Sequence, residues 1–115
     1  MSKPRRDRQY LGDLLEAMRR IQDYTDDLTY ESFLADTMTQ DAVVRNLQVM
    51  GETAKKLSDS VKDGTSDVPW REMAGTRDRL VHEYFGIEWE IVWVVAREQI
   101  PPLIARIENI LRSLH

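Results

Sequence analysis

Cysteine is absent from this chain, and histidine occurs only twice in 115 residues. Without cysteine there can be no disulfide framework, no thiolate metal site and no cysteine nucleophile. His115 is the last residue, where we expect fraying, so His82 alone is left as an imidazole ligand for a transition metal. We therefore expect neither a metal site nor a cofactor.

Long apolar runs are absent as well. A membrane-spanning helix needs ~20 consecutive apolar residues, whereas the most apolar run, residues 87–96, is short and contains Glu88 and Glu90. The N-terminal segment MSKPRRDRQYLGDLL carries basic residues but lacks the continuous apolar stretch of a signal peptide. These absences predict a cytoplasmic protein that does not enter the membrane.

The composition that remains is typical of a folded, helix-rich chain. Hydrophobic residues make up 42% and charged residues 31% of the sequence, and its length suits one domain. We expect a single domain over residues 1–115, with residues 1–8 as a flexible basic arm. The net charge of −4 argues against nonspecific nucleic-acid binding, which requires a positive surface. Basic residues nevertheless cluster near the internal histidine, at Arg71, Arg77 and Arg79.

Apolar residues recur every three or four positions along most of the chain, which predicts α-helices. Capping residues, glycines and prolines indicate where these helices end. The expected helices are residues 7–26, 30–34 after the N-cap Thr29, 39–62 capped by Thr39, 70–84 between Pro69 and Gly86, 88–99, and 102–114. Pro101 and Pro102 should separate the last two. The predicted architecture is an all-α bundle of about five helices.

The internal histidine lies in the segment RDRLVHEYFG, residues 77–86. On a helix, Arg77 and His82 stand roughly 140° apart around the axis and ~7.5 Å apart along it, so they flank a volume that suits a phosphodiester. Asp78, four residues before His82, can orient the imidazole and favour its protonated form. The structural alternative makes His82 a favourable cation near a helix end and the charged residues an ordinary solvated face.

The same segment resembles the arginine–four residues–histidine–x–tyrosine motif of HEPN ribonucleases of the HepT-like family, with Asp78 as the polar residue after Arg77. The resemblance extends over the chain from about Tyr10 onward. Three further stretches carry it: VRNLQVMGETAKKL at residues 44–57, VPWREMAG at residues 68–75 and IVW at residues 91–93.

This resemblance implies a HEPN-type helical bundle that forms a homodimer, with the motifs of two protomers facing one cleft. It implies cleavage of an RNA substrate without a metal, by the toxin of a type VII toxin–antitoxin system. The cognate antitoxin is then a minimal nucleotidyltransferase, which neutralises the toxin by adenylylation of the motif tyrosine. The residue that matches this tyrosine is Tyr84.

Each motif residue then has a chemical role. RNA cleavage without a metal requires a deprotonated 2′-OH, a positive charge beside the phosphorane and a protonated leaving oxygen. His82 can act as base or acid because an imidazole titrates near neutrality, and Arg77 supplies a permanent planar cation. One histidine cannot take both proton roles at once, whereas a dimer supplies two. An adenylyl group on Tyr84 would block the cleft and repel RNA phosphate.

Other residues are assigned supporting or structural roles. Glu52 is expected to line the cleft or position Arg77, or else to be a buried structural carboxylate paired with an arginine. Trp89 and Trp93 favour the core or a dimer interface over RNA stacking. Three methionines are expected to fill the core: Met38, Met50 and Met73.

Residues 87–95 are apolar on nearly every helical face, which predicts that part of this segment contacts a second protomer. Two alternatives to a ribonuclease stay open. One is a HEPN module that partners a nucleotidyltransferase and binds nucleotides or RNA without cutting; the other is a helical adaptor with no nucleic-acid role. The complete set of Arg77, His82 and Tyr84 favours the enzyme, because neither alternative needs all three.

Overall fold

The computed structural model describes residues 3–82 and 86–114, without the side chains of residues 3–5, 77, 78 and 80–82. Within these ranges the chain forms seven α-helices and no β-strand, which confirms the predicted all-α class and is one helix more than the six ranges expected from the sequence. The helices are α1 (Lys3–Thr25), α2 (Tyr30–Leu34), α3 (Thr37–Lys56), α4 (Asp59–Asp63), α5 (Trp70–His82), α6 (Trp89–Val94) and α7 (Ile100–Ser113).

The core lies where the longer helices meet. Helix α3 packs against both α1 and α5, and α7 packs against α1. Leu11, Leu14, Met18 and Ile21 of α1 are fully buried at steps of three or four residues, as the sequence pattern predicts. Burial of each such side chain stabilises the fold by about 1.5–3 kcal/mol relative to exposure. This packing supports α5, the helix that carries the histidine motif, through α3.

Helix α1 begins earlier than expected. The predicted flexible arm, residues 1–8, is helical from Lys3 onward. Asp7 is only 5% exposed, and its carboxylate accepts hydrogen bonds from Ser58 N at 2.9 Å and Ser58 Oγ at 2.7 Å. Arg8 donates a hydrogen bond to the carbonyl oxygen of Leu114. These contacts with distant parts of the chain, which no local pattern reveals, explain why the arm is helical.

Of the two N-caps predicted from the sequence, the one of α2 is confirmed and the one of α3 is not. Thr29 caps α2 in a reciprocal arrangement, because its Oγ1 accepts from Ser32 N and Ser32 Oγ accepts from Thr29 N, as predicted. Helix α3 is capped by Asp36, so the assignment of Thr39 as its cap is wrong. Thr39 instead donates its N–H and its hydroxyl to the Asp36 carboxylate at 3.0 and 2.7 Å. These hydrogen bonds lower the pKa of Asp36 below its ordinary value.

Helix α3 ends at Lys56, although the periodicity predicted a helix to about Lys62. Leu57 adopts an extended backbone with φ −64° and ψ 146°. Ser58 then caps the short helix α4, with its Oγ accepting from Val61 N at 3.4 Å. The interruption has a tertiary cause, because the Ser58 N–H is bound to Asp7 of α1 and does not continue the helix.

The two prolines near the end of the chain do not separate two helices, so the break predicted at Pro101 and Pro102 is wrong. Residues Val95–Gln99 form a π-helical turn that leads directly into α7. The Ile100 N–H bonds to the Val95 carbonyl, five residues back. The wider turn accommodates prolines, which lack an N–H and crowd the carbonyl four residues earlier. Both prolines thus lie in the first turn of α7, where a missing N–H costs little.

Candidate active site on helix α5

The N-terminal end of α5 is fixed by contacts of the preceding loop. The Trp70 indole donates a hydrogen bond to Thr65 Oγ1 at 3.0 Å. Arg106 of α7 donates two hydrogen bonds to the Asp67 carboxylate, at 2.6 and 3.0 Å. This donation by the guanidinium lowers the pKa of Asp67 below its ordinary value. The start of α5 is thereby held against the rest of the bundle before the motif begins.

Arg77 occupies a position on the packed face of α5. Trp70 and Met73 are buried, with 7% and 8% of their surface exposed, and Ala74 is half-buried. Arg77 follows Trp70 by seven residues and Met73 by four, so its Cα lies on the same face of the helix. An arginine at such a position requires an anionic partner or a cleft open to water. The register thus agrees with an anion-binding role for Arg77, whose side chain the structure does not describe.

The Cα of His82 lies in a different direction around the axis of the same helix. It follows Gly75 by seven residues and Arg71 by eleven, and both of these residues are exposed. Asp78, predicted to orient the imidazole, lies four residues before His82 and therefore next to it along the helix surface. The structure describes the backbone of Asp78 and His82 as helical and leaves their side chains out, so their hydrogen bond remains a prediction.

The spacing of Arg77 and His82 on a continuous helix has a chemical consequence. Helix α5 runs unbroken through both residues, so the separation of roughly 140° and ~7.5 Å expected from the sequence applies to their Cα directions. In register, Arg77 follows the buried residues Trp70 and Met73, and His82 follows the exposed residues Arg71 and Gly75. A phosphodiester between the two directions can receive a cation from one side and a proton-transfer group from the other.

Two other predicted site residues have different outcomes. Tyr84, the expected site of adenylylation, falls in residues 83–85, which lie outside the described ranges. Glu52 of α3 has a side chain that is 48% exposed and lies 3.7 Å from the Lys56 ammonium. The interpretation of Glu52 as a buried carboxylate paired with an arginine is therefore wrong. Its predicted action on Arg77 stays a prediction.

The aromatic pair of α6 is partly buried and packs against the core, one of the two locations predicted for it. The Trp89 and Trp93 rings pack against Phe33, with ring centroids 6.0 and 5.2 Å from it. The Arg97 guanidinium also contacts this pair, lying over the Trp93 ring at 5.9 Å from its centroid. The methionines divide between core and surface, and the prediction is wrong for one of them: Met50 and Met73 are buried, whereas Met38 is 83% exposed.

An apolar groove of about 190 Å³ lies on another flank of α5. Met73, which lines it, is nine residues before His82 and therefore roughly 180° from it around the helix axis. Ile91, also on the groove, is 56% exposed, and the neighbouring Val94 is 37% exposed. Arg79 also lines the groove and lies about 60° from His82 around the helix axis, so the groove extends toward the side of α5 that carries His82. Its apolar wall is formed by α3, α5, α6 and the start of α7: Leu47, Met50, Met73, Ile87, Ile91, Val92, Val95, Ile100 and Leu103.

Among the side chains that the structure describes, which do not include those of Asp78 and His82, no three of the metal-binding types come together in a way that could hold a metal ion. None of the helices described is both long enough and apolar enough to cross a membrane.

Comparison with known proteins identifies the family. Residues 14–110 match the family model described as ribonuclease HepT-like. The chain belongs to this family. The match includes the whole of α5 and the segments that suggested the same family from the sequence, so the resemblance is confirmed.

Relatives of this HepT-like chain align over nearly its whole length. The protein named "Putative RNase MJ0127" of Methanocaldococcus jannaschii is 43% identical over 112 residues, which cover 96% of this chain and 93% of that protein. The "Probable ribonuclease HepT" of Thermococcus cleftensis is 40% identical over 101 residues, covering 88% and 92%. The enzyme class that these names carry is the class predicted from the sequence. No solved structure matches the chain.

Some features of this HepT-like chain could not be found from the sequence. The apolar groove joins residues of four helices, and no single stretch shows that Leu47, Met73 and Ile91 line one surface. The alignment of Arg71 and Gly75 with His82 along one side of α5 was also missed, although helical spacing alone implies it. The exposure of Arg71 and Gly75 is the additional information that the structure supplies.

Proposed function

We propose that this chain is a metal-independent endoribonuclease that cleaves RNA by attack of a 2′-OH on the adjacent phosphodiester. The proposal is supported by the register of the continuous helix α5, in which Arg77 follows the buried residues Trp70 and Met73 and His82 follows the exposed residues Arg71 and Gly75. A permanent cation at a packed position is unfavourable without an anion, and an RNA phosphate is such an anion. Membership of the HepT-like family supports the same substrate.

The reaction proceeds in one displacement. A neutral imidazole of His82 removes the proton of the 2′-OH, and the oxygen attacks phosphorus to form a 2′,3′-cyclic phosphate. The bond to the 5′-oxygen of the next nucleotide breaks, and a protonated imidazole gives this oxygen its proton. Arg77 stabilises the charge on the non-bridging oxygens of the phosphorane. No bond in this scheme requires a metal.

The two proton transfers explain why we propose a homodimer. One His82 cannot be base and acid in the same displacement, whereas two protomers facing one cleft provide both groups. The exposed apolar residues Ile91 and Val94 on α6, beside the groove of about 190 Å³, support an interface on this side of the bundle. The dimer would be two-fold symmetric, with both Arg77/His82 sets opening into a shared cleft.

We further propose that the chain is the toxin of a toxin–antitoxin pair and that a partner nucleotidyltransferase silences it by adenylylation of Tyr84. Tyr84 follows His82 by two residues, so a modification there lies next to the proposed site. The added phosphodiester is negative and bulky, and it can occupy the anion position beside Arg77. Adenylylation would thus inhibit cleavage by occlusion and by repulsion of the RNA backbone.

The nature of the reaction can be tested with modified substrates. Replacement of the ribose at the cleavage position by 2′-deoxyribose should abolish cleavage at that phosphodiester, because it removes the nucleophile. The products of unmodified RNA should carry 2′,3′-cyclic phosphate and 5′-hydroxyl ends, detectable by mass spectrometry. Cleavage of the deoxy-substituted position, or 5′-phosphate products, would contradict the proposed mechanism. Binding of RNA without any cleavage would favour the non-catalytic HEPN module instead.

A further inference from the structure

Arg71, Gly75 and His82 lie along one side of helix α5. Arg71 and Gly75 differ by about 40° in their direction around the axis, and Arg71 and His82 differ by about 20°. Arg71 and Gly75 are both exposed. We call this surface, from Arg71 through Gly75 to His82, the α5 strip. By register Asp78 also lies on this strip, about 20° from Arg71 around the axis and between Gly75 and His82 along it.

Arg71 is placed where it does not help the helix. It is the second residue of α5, and a positive charge near a helix N-terminus is disfavoured by the helix dipole. Among the described residues Arg71 forms no hydrogen bond and no ion pair, in contrast to Arg19, Arg20 and Arg106, each of which is paired with a carboxylate. Neither helix stability nor an ion pair in the described part of the chain accounts for a cation at this position.

Gly75 has no side chain, so the helix backbone is uncovered at this position of the α5 strip. A Cβ built at this residue would meet no atom within 4 Å, so the space above the helix is open. Glycine is a poorer helix former than alanine, and packing does not require it here. A glycine at an exposed helix position lets an extended ligand lie close to the helix backbone.

We propose that the α5 strip binds the RNA strand beyond the phosphodiester that is cleaved, with Arg71 bound to a backbone phosphate. The inference rests on the proposed ribonuclease function and adds a substrate-binding residue to it. Arg71 and His82 are eleven residues apart, about 16 Å along the axis. A stacked strand rises ~3.4 Å per nucleotide, so the contacted phosphate lies roughly four or five nucleotides from the reacting one.

The test compares arginine variants in binding and in cleavage. Binding of labelled single-stranded RNA of about twelve nucleotides is measured by fluorescence anisotropy over a range of salt, with His82→Ala as the parent so that the RNA stays intact. Arg71→Ala should weaken binding about five-fold, as expected for one exposed ion pair, and should reduce the slope of log affinity against log salt by about one. Arg71→Lys should retain the slope because it keeps the charge.

The matched control is Arg112→Ala, which removes the same charge from an exposed arginine of α7. It should leave the affinity and the salt slope unchanged. In the active protein, Arg71→Ala should raise KM for the long RNA about five-fold and leave kcat unchanged. Gly75→Leu should weaken binding of the same RNA without lowering the melting temperature, because leucine favours the helix and finds open space there.

Two outcomes distinguish the inference from the function on which it rests. If the wild type cleaves RNA and Arg71→Ala matches Arg112→Ala in affinity, salt slope and KM, the α5 strip does not bind RNA and the ribonuclease proposal stands. If the folded wild type neither cleaves nor binds RNA, both proposals fail. A loss of kcat in Arg71→Ala with an unchanged KM would also overturn the inference, because Arg71 would then act at the reacting phosphate. Arg71→Gln provides a second charge-removing variant.

Discussion

At the scale of single residues, Arg77 is the position where stability and function are in conflict. Its Cα lies on the face of α5 that buries Trp70 and Met73. Replacement of a charged group at a packed position by an apolar side chain of similar size is often neutral or stabilising, whereas an anion-binding site loses its cation. Replacement of Arg77 by an apolar residue should therefore abolish activity without lowering the stability of the fold.

This conflict predicts the behaviour of Arg77→Met. RNA cleavage should be lost, while the free energy of unfolding should stay the same or rise, because an apolar side chain suits a position on the face of α5 that buries Trp70 and Met73. Urea unfolding followed by circular dichroism, together with an RNA cleavage assay, measures both effects. Leu47→Ala is the contrasting variant, expected to destabilise by about 2–5 kcal/mol as a truncation in the core. A similar loss of stability in Arg77→Met would show that Arg77 is structural.

Regulation through Tyr84 is also a single-residue prediction. Tyr84→Phe removes the hydroxyl that would accept the adenylyl group, so this variant should resist neutralisation by the partner nucleotidyltransferase in the presence of ATP and magnesium. It should still cleave RNA, since the hydroxyl takes no part in the displacement. Intact-mass spectrometry measures the modification, with Tyr24→Phe, an exposed tyrosine of α1, as control. Mass added to Tyr84→Phe as readily as to the wild type would move the modification elsewhere.

At the scale of secondary-structure elements, the sequence predicted the helices well where local patterns decide and poorly where distant contacts decide. Thr29 caps α2 as expected, because a capping box is local. The end of α3 was missed because Ser58 bonds to Asp7, fifty-one positions away. The π-helical turn before α7 was missed because prolines indicate a helix break, and the wider turn that accommodates them leaves no pattern in the sequence.

The contact between α1 and the α3–α4 junction gives a prediction for stability. Asp7→Ala leaves the Ser58 N–H without the carboxylate that accepts it, and we expect a destabilisation of about 1–3 kcal/mol. Asp13→Ala removes an exposed carboxylate from the same helix and should change stability by less than ~0.5 kcal/mol. The midpoints of urea unfolding measure both. Equal midpoints for the two variants would mean that the Asp7–Ser58 hydrogen bonds do not hold α1 to the junction.

At the scale of the whole molecule, the site on α5 is one half of the proposed catalytic unit. The motif itself could be predicted from the sequence, because its spacing on a helix and its resemblance to the HepT-like family are both local. The apolar groove beside it could not, since the groove depends on how α3, α5 and α6 pack. The pairing of two motifs remains a proposal about assembly.

Assembly is tested by a charge on the exposed apolar surface of α6. The wild type should be a dimer in light scattering at micromolar concentration. Ile91→Glu should be monomeric and folded, because Ile91 is already 56% exposed, and should lose RNA cleavage because each monomer has only one His82 site. Glu90→Ala, at the neighbouring exposed position, should remain dimeric and active. A monomeric protein that still cleaves RNA would contradict the shared cleft.

The central claim is that Arg77 and His82 form a metal-independent ribonuclease site. Its most direct test is incubation of labelled RNA in EDTA with the purified wild type and with His82→Ala, after circular dichroism has shown equal helicity. The wild type should cleave in the presence of the chelator, and His82→Ala should not. Undiminished cleavage by pure His82→Ala, or a wild-type activity lost in EDTA and restored by added metal, would contradict the claim.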